Sequence, residues 1–316
     1  MKHFSRILAI VSISIFVLAL SVNPLILFVA REQLKARLPG SNAAISGCQF
    51  NFFHRIIFNG IQVSKVPVYD LQIKSLTIGF SPASMLKAFR GDIMGAIESC
   101  EIIVDYLELN KTRLAGGYLK VSRTNDNGEI SCSEFTYEKL KVLGIKGKTR
   151  LKDDYLYFDS LSGQLLGGIF QGDSLIKLDS NLGYQLRVDF TNLDLDTFMK
   201  DFALDEKAEV SGKVNGFLEL QGDNQGLEVL EGNLGSGKEG GVLTIKDTQF
   251  LQNMARSSGQ ALDLVVESFK NYRYNTNKTT LSLEDNNIVF LVNLDGSAGK
   301  RSLNITLHNF NPGRIK

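Results

Sequence analysis

Residues 170–199, FQGDSLIKLDSNLGYQLRVDFTNLDLDTFM, alternate apolar and polar side chains over most of their length. In an extended chain, Leu186, Val188 and Phe190 fall on one face and their polar neighbours fall on the other. Similar stretches recur from about residue 56 to the C-terminus, with few long helical patterns between them. The pattern therefore predicts a sheet with one apolar side.

Thirteen such stretches read as strands, and short polar turns join many of them. Short connections favour an antiparallel meander over strand–helix–strand units. The second stretch changes phase, because Leu71 and Ile73 share a face while Leu76 and Ile78 are displaced by one residue. A bulge or a bend at Ser75 would resolve this change. The predicted strands are 56–64, 71–80, 97–110, 117–123, 140–151, 154–168, 173–180, 184–190, 208–222, 240–247, 273–285, 286–296 and 302–310.

Short helices interrupt the strands at three places. Ser81-Pro82 has the sequence of a helix cap followed by a first-turn proline, and the helix that it predicts ends at Gly91. A second short helix is predicted over residues 195–201. Residues 247–269 predict two helical pieces that are broken near residues 257–259. The second piece carries an apolar stripe made of Ala261, Leu264, Val265 and Phe269.

The N-terminus predicts a membrane anchor. Residues 7–30 contain no charge, and a spanning helix needs about 20 apolar residues. A cleaved signal peptide is the alternative, but the apolar run continues past the weak cleavage-like triplet at residues 19–21. Basic residues lie on both sides of the run, so they do not decide its orientation. We expect an anchor and a juxtamembrane helix over residues 1–40, followed by one β domain over residues 41–316.

Composition narrows the class of function. Hydrophobic residues make up 43% of the chain and charged residues 22%, which is typical of a folded protein. There are 35 Lys plus Arg against 34 Asp plus Glu. This balance does not favour a nucleic-acid partner.

No set of residues predicts catalysis or a resident metal or cofactor. Cys48, Cys100 and Cys132 have no metal-ligand spacing; a bridge between the last two is conceivable, and buried free thiols are the alternative. The segment GNLGSGKE, residues 232–239, resembles a phosphate loop. However, a glutamate stands where the loop needs a hydroxyl, and a strand follows where it needs a helix, so a glycine-rich hairpin turn is favoured. The paired carboxylates at 153–154 and at 194 and 196 are typical of turns and caps.

The apolar face itself is the remaining functional signal. It could be buried against a second sheet in a sandwich. It could instead line an open groove, and a large exposed apolar surface usually marks a binding site. Acyl chains would be the natural ligand beside a membrane, since each buried methylene contributes about 0.8 kcal/mol. The predicted groove-lining residues are Leu186, Val188, Phe190, Leu218, Leu220, Leu281, Leu283, Val289 and Leu291.

Three blocks of the chain carry a family resemblance. The first block is the anchor, the paired strands and then SPASMLKAFRGDI. The second runs from LSGQLLGGIFQGDSLIKLD through YQLRVDFTNLDLDTFM to AEVSGKVNGFLELQG. The third joins GGVLTIKD, FKNYRYNTNKTTLSLEDNNIVFLVNLDG and SLNITLHNF. Together these blocks resemble the AsmA-like superfamily of envelope proteins, and above all its YdbH-like members.

The resemblance implies an elongated, taco-like β-groove that is anchored in the bacterial inner membrane and projects into the periplasm. It also implies that phospholipid is held or conducted between the inner and outer membranes. Thirteen strands at about 4.8 Å spacing give a groove of roughly 60 Å. Because this is short for a periplasm, an outer-membrane partner or a second copy would have to extend it. The alternative function is a non-enzymatic assembly factor for the outer membrane, which would pair with a partner by β-strand addition.

Overall fold

The computed structural model describes residues 22–51, 54–65, 68–90, 93–123 and 127–308. The described chain is mainly β, with fifteen strands hydrogen-bonded in sequence order from β1 to β15. Pairing is antiparallel within β1–β5 and within β7–β15. The strands are β1 Asn42–Asn51, β2 Arg55–Lys65, β3 Tyr69–Gly79, β4 Ser99–Leu109, β5 Thr112–Ser122, β6 Gly128–Tyr137, β7 Leu140–Lys152, β8 Tyr155–Leu165, β9 Gly168–Lys177, β10 Tyr184–Asp194, β11 Ala208–Asp223, β12 Gly226–Ile245, β13 Tyr272–Glu284, β14 Asn287–Gly296 and β15 Gly299–Leu307.

All thirteen predicted strands are present, and β1 and β6 are additional. The chain divides into two compact units, Met1–Phe135 and Thr136–Lys316, called unit 1 and unit 2 below. The predicted antiparallel meander is confirmed. A sandwich is not formed in the described chain, because its strands belong to a single sheet.

Unit 1 is built on one helix packed against its first three strands. Helix α1, described over residues 22–37, contacts the buried side chains of Ile45, Ile61 and Val63. A shift in the pairing of β3 with β4 between Ile73 and Ser75 confirms the irregularity predicted at Ser75. The bulge lets Leu71 and Leu76 face the same core although their spacing is odd. Two helices follow β3, α2 Pro82–Phe89 and α3 Ile93–Ala96, and α3 was not predicted.

Most of the predicted anchor, residues 7–21, lies outside the described residues. Within the part of the chain that is described, none of the helices has both the length and the apolar character needed to span a bilayer.

Unit 2 carries three helices on its strands. These are α4 Leu195–Asp201, α5 Thr248–Ser258 and α6 Leu262–Phe269. The break between the last two falls at Gly259, which ends α5 in the left-handed conformation with a φ of 67°. The predicted stripe of α6 is correct at Val265 and Phe269 but wrong at Leu264, which is 65% exposed, and at Ala261, which is exposed and precedes the helix as its N-cap. Leu264 precedes the buried Val265 directly, so the helical turn carries it away from the sheet.

The interpretation of residues 232–239 as a hairpin turn is wrong. They lie inside β12, which pairs with β11 on one side and with β13 on the other. Leu234, for example, faces Gly216 of β11 and Thr279 of β13. Residues 232–235 are held extended by pairing with both neighbouring strands, which sequence turn signals do not take into account. Residues 237–239 lie where the register of both pairings shifts.

Candidate functional site

The strand register of unit 2 collects apolar side chains on one face of β10 to β15. Residues that face each other directly in an antiparallel pair share a face of the sheet. Val188 faces Leu218, Leu218 faces Gly232, and Gly232 faces Leu281. This surface, which also carries Phe290 opposite Leu281, is called the inner face below.

Seven of the nine predicted residues lie on the inner face. The pairing of Leu186 with Leu220 continues the Val188–Leu218 row toward one end of β10. All seven except Val188, which is 6% exposed, are half-buried. They are Leu186, Val188, Phe190, Leu218, Leu220, Leu281 and Leu283.

Val289 and Leu291 lie on the opposite, outer face. They pair with Ser282 and Thr280, and Leu291 is 44% exposed. The reason is the two-residue turn between β13 and β14: Glu284 pairs with Asn287, so each odd-numbered residue of β13 faces an even-numbered residue of β14.

Phe290 and Val292 therefore occupy the inner face in place of these two residues. The signal that could have found them is the turn dipeptide, Asp285-Asn286. Both of its residues have a positive φ, 49° and 62°. Asp and Asn tolerate this conformation, and such two-residue turns connect hairpin strands with a defined register.

Gly232 allows Leu218 of β11 and Leu281 of β13 to approach each other across β12. A Cβ at this position would lie 3.2 Å from Leu218 Cδ1 and 3.3 Å from Leu281 Cβ. Leu218 and Leu281 thus close over the glycine backbone from β11 and β13. The apolar surface is consequently continuous across β12.

An apolar cavity of about 380 Å³ lies on the inner face, within the range typical of ligand sites. Among the predicted residues, Leu281 lines it, whereas the other six inner-face residues lie on the same surface outside it. Helix α4 contributes Phe198 and Met199 to one wall. The full lining is Leu166, Leu193, Asp194, Leu195, Phe198, Met199, Val210, Val214, Leu234, Leu243, Tyr274, Asn277, Thr279, Leu281, Phe290, Val292, Leu294, Leu303 and Ile305.

The polar residues of this lining already have partners within the protein. Asp194 caps α4 by accepting hydrogen bonds from the backbone N–H groups of residues 196 and 197, at 2.9 and 3.3 Å. The Thr279 hydroxyl donates to Asn277 Oδ1 at 2.8 Å. The Tyr274 hydroxyl donates to the carbonyl oxygen of Ser211 at 2.8 Å. The cavity wall therefore offers a ligand mainly hydrocarbon.

Burial raises the pKa of Tyr274 to about 12. Its ring belongs both to the cavity lining and to the core between the sheet and helices α5 and α6. Leu243, Leu294 and Leu303 also belong to both. The phenol is neutral at physiological pH, as an ordinary tyrosine is, and its raised pKa keeps it neutral to a higher pH. It serves as a hydrogen-bond donor and not as a charge in the cavity.

The cysteines and the paired aspartates that the sequence singled out lie in positions typical of structural residues. All three cysteines are free thiols, so a bridge between Cys100 and Cys132 is not formed. Burial raises the pKa of each thiol, which disfavours the reactive thiolate. Asp153 and Asp154 lie in a turn, as predicted. Among the described residues, no group of three His, Cys, Asp or Glu side chains is placed to hold a metal ion.

The fold and the cavity define a mainly β protein whose sheet carries an apolar cavity on its inner face. The model of the YdbH-like family, described as intermembrane phospholipid transport protein YdbH, matches residues 140–306. This match covers more than half of the chain, and the chain belongs to the YdbH-like family. The family is one of lipid-transport proteins and not a class of enzymes. No curated protein and no solved structure matches the chain.

Proposed function

We propose that the inner face of unit 2 binds the acyl chains of phospholipids and that the protein carries lipid by this surface. The observation that supports this function is the cavity, because its polar residues are occupied by hydrogen bonds within the protein. A ligand gains affinity there chiefly by transferring hydrocarbon out of water. At about 0.8 kcal/mol per methylene, a sixteen-carbon chain would gain roughly 10 kcal/mol before the costs of ordering.

The half-buried apolar residues outside the cavity enlarge the surface that acyl chains would contact. Leu186, Leu218 and Leu220 continue the apolar surface along β10 and β11. An acyl chain lying along this surface would keep its methylene groups in contact with leucine and valine side chains. The polar headgroup would remain in water, because burying it without partners is costly.

Charged substitutions on one strand test the acyl-chain site. The double variant Phe290→Asp, Val292→Asp places two carboxylates in the cavity, where burying them without partners is unfavourable for hydrocarbon binding. We expect the phospholipid that co-purifies with the full chain in detergent to fall about tenfold, as measured by mass spectrometry. Circular dichroism would show that the sheet is retained.

The matched control changes the neighbouring residues of the same strand. The double variant Val289→Asp, Leu291→Asp carries the same charge on the outer face, and it should keep its phospholipid. A third variant, Leu234→Trp, fills the cavity without a charge and should also lower the bound lipid. Equal lipid in the inner-face and outer-face variants would contradict the proposal.

The proposed placement of the chain is the bacterial inner membrane, with its bulk in the periplasm. It is supported by the uncharged run of residues 7–30 and by the family, which is described as intermembrane. In this arrangement phospholipid is the ligand, and the inner membrane is the source from which the sheet receives it.

A further inference from the structure

Helix α1 of unit 1 exposes apolar side chains along the first half of its described length. Leu25, Phe28 and Val29 are 62%, 63% and 49% exposed. They lie on the side away from the stripe that packs on β1 to β3, which includes Leu27 and Leu34. From residue 31 onward the exposed positions of α1 are mainly polar and charged. The exposed apolar surface is thus confined to the first half of the helix.

Two hydrogen bonds fix which end of unit 1 this surface occupies. Asn23 Oδ1 accepts a hydrogen bond from the backbone N–H of Phe50 at 2.7 Å. Arg31 Nε donates to the carbonyl oxygen of Ile45 at 3.0 Å. The apolar half of α1 therefore runs beside the last residues of β1.

Helix α2 lies at the same end. The Phe50 ring stacks on that of Phe80, with 6.0 Å between the ring centroids, and Phe80 directly precedes the helix cap. Ser81 and Ser84 cap α2 reciprocally: each hydroxyl oxygen accepts a hydrogen bond from the other residue's backbone N–H, at 3.1 and 2.8 Å. The start of α2 is thereby held against the strand ends.

The exposed side of α2 combines one large apolar residue with basic residues. Leu86 is 60% exposed, and Lys87 and Arg90 beside it are exposed as well. Arg55, which pairs with Gly79 at this end of β2 and β3, adds a third exposed cation. Glu98, an acidic residue at the cap, accepts a hydrogen bond from the Ser81 hydroxyl at 2.5 Å. Apolar side chains among cations are typical of helices that lie in a membrane interface.

We propose that this end of unit 1, called the α2 end, is seated in the surface of an anionic phospholipid bilayer. Phe28 and Leu86 enter the boundary of the hydrocarbon, and Lys87 and Arg90 contact headgroup phosphates. A bilayer is favoured over a protein partner because the uncharged sequence of residues 7–21 leads directly into the apolar half of α1. Clustered cations beside such a segment are attracted to anionic lipid.

This inference does not depend on lipid binding by unit 2. It concerns where unit 1 meets a membrane, whereas the cavity concerns what unit 2 binds. Loss of phospholipid from Phe290→Asp, Val292→Asp should accordingly leave the seating of the α2 end unchanged.

The absence of tryptophan from the chain allows a direct test. The full-length variants Phe28→Trp and Leu86→Trp would each be reconstituted into vesicles of phosphatidylcholine and phosphatidylglycerol that carry bromine on their acyl chains. Bromine quenches tryptophan emission only at short range. We expect emission from both variants to fall about twofold or more relative to unbrominated vesicles, because both side chains would reach the lipid.

The matched control is Val68→Trp, at the other end of unit 1. Val68 is also exposed, at 41%, and the eleven residues from Tyr69 to Gly79 separate it from the α2 end by about 36 Å. Its emission should be unaffected. Adding Lys87→Glu and Arg90→Glu to the Leu86→Trp variant should reduce the quenching in anionic vesicles. The proposal would be overturned if the emission of Phe28→Trp were quenched and that of Leu86→Trp were not. It would also be overturned if Leu86→Trp and Val68→Trp were quenched equally.

Discussion

Tyr274 connects the cavity to the core beneath α5 and α6. Its side chain is 3% exposed, and its hydroxyl donates a hydrogen bond to the carbonyl oxygen of Ser211. Burial raises its pKa from 10.0 to about 12. The unfolded chain therefore loses this proton at a lower pH than the folded chain does. The contribution of neutral Tyr274 to stability is fully present below pH 10 and is lost as the pH rises toward 12.

This behaviour predicts part of the alkaline unfolding of the protein. In the Tyr274→Phe variant, the free energy of unfolding should fall by about 1–2 kcal/mol at pH 7, because the Ser211 carbonyl loses its donor. The variant should also show a smaller loss of stability between pH 10 and pH 12. Urea unfolding at a series of pH values measures both effects. Identical slopes for the variant and the parent chain would contradict this account of Tyr274.

At the scale of elements, the α5–α6 hairpin covers one part of the inner face. Val265 and Phe269 of α6 are 2% and 4% exposed and pack with Leu294 and Leu303 of β14 and β15. These two strand residues also line the cavity. The hairpin therefore packs on the sheet beside the cavity, and the cavity wall itself comes mainly from the strands and from α4.

Two phenylalanines of the hairpin provide a matched comparison. Phe269→Ala should lower the free energy of unfolding of unit 2 by about 3–5 kcal/mol, because it leaves a hole in a packed core. Phe250→Ala, at a position that is 36% exposed, should cost less than about 1 kcal/mol. Denaturant unfolding followed by circular dichroism compares the two variants. Similar destabilisation by both would mean that α6 is not held by this core.

At the scale of the whole molecule, the proposed membrane placement rests on residues 7–30. These residues contain no charge, and about 20 apolar residues span a bilayer. The full chain should stay in the membrane fraction after extraction with alkaline carbonate. Val11→Lys together with Phe16→Lys should release it, because each lysine in the centre of a spanning helix costs about 2.5–3.5 kcal/mol. Glu32→Lys, beyond the run, should have no effect, and extraction of the parent chain would contradict the anchor.

The fold was largely predictable, because alternation of apolar and polar residues reports strands that have one apolar side. β1 and β6 were missed for a physical reason. Their sequences, NAAISGCQFN and GEISCSEFTY, have few large apolar residues and no sustained alternation of them. Such strands are held in place by their neighbours more than by their own pattern.

The candidate site was predictable only in part. Leu281 lies on the inner face, whereas on β14 the register places Phe290 and Val292 there and turns Val289 and Leu291 to the outer face. The even-numbered and the odd-numbered residues of β14 both include apolar side chains, so alternation alone could not decide which set faces inward. The choice depended on the length of one turn, since a shift of one residue moves every side chain to the other face.

The amino-acid sequence by itself determined most of the described strands and helices, the break near Gly259 and the apolar side of β10, β11 and β13. These features depend on local periodicity and on the conformations that each residue type tolerates. Only the tertiary structure decided which side chains meet around the cavity, because its walls come from segments as distant as Leu166 and Ile305. It also decided that residues 232–235 continue a strand and do not turn, because β11 and β13 pair with them on both sides.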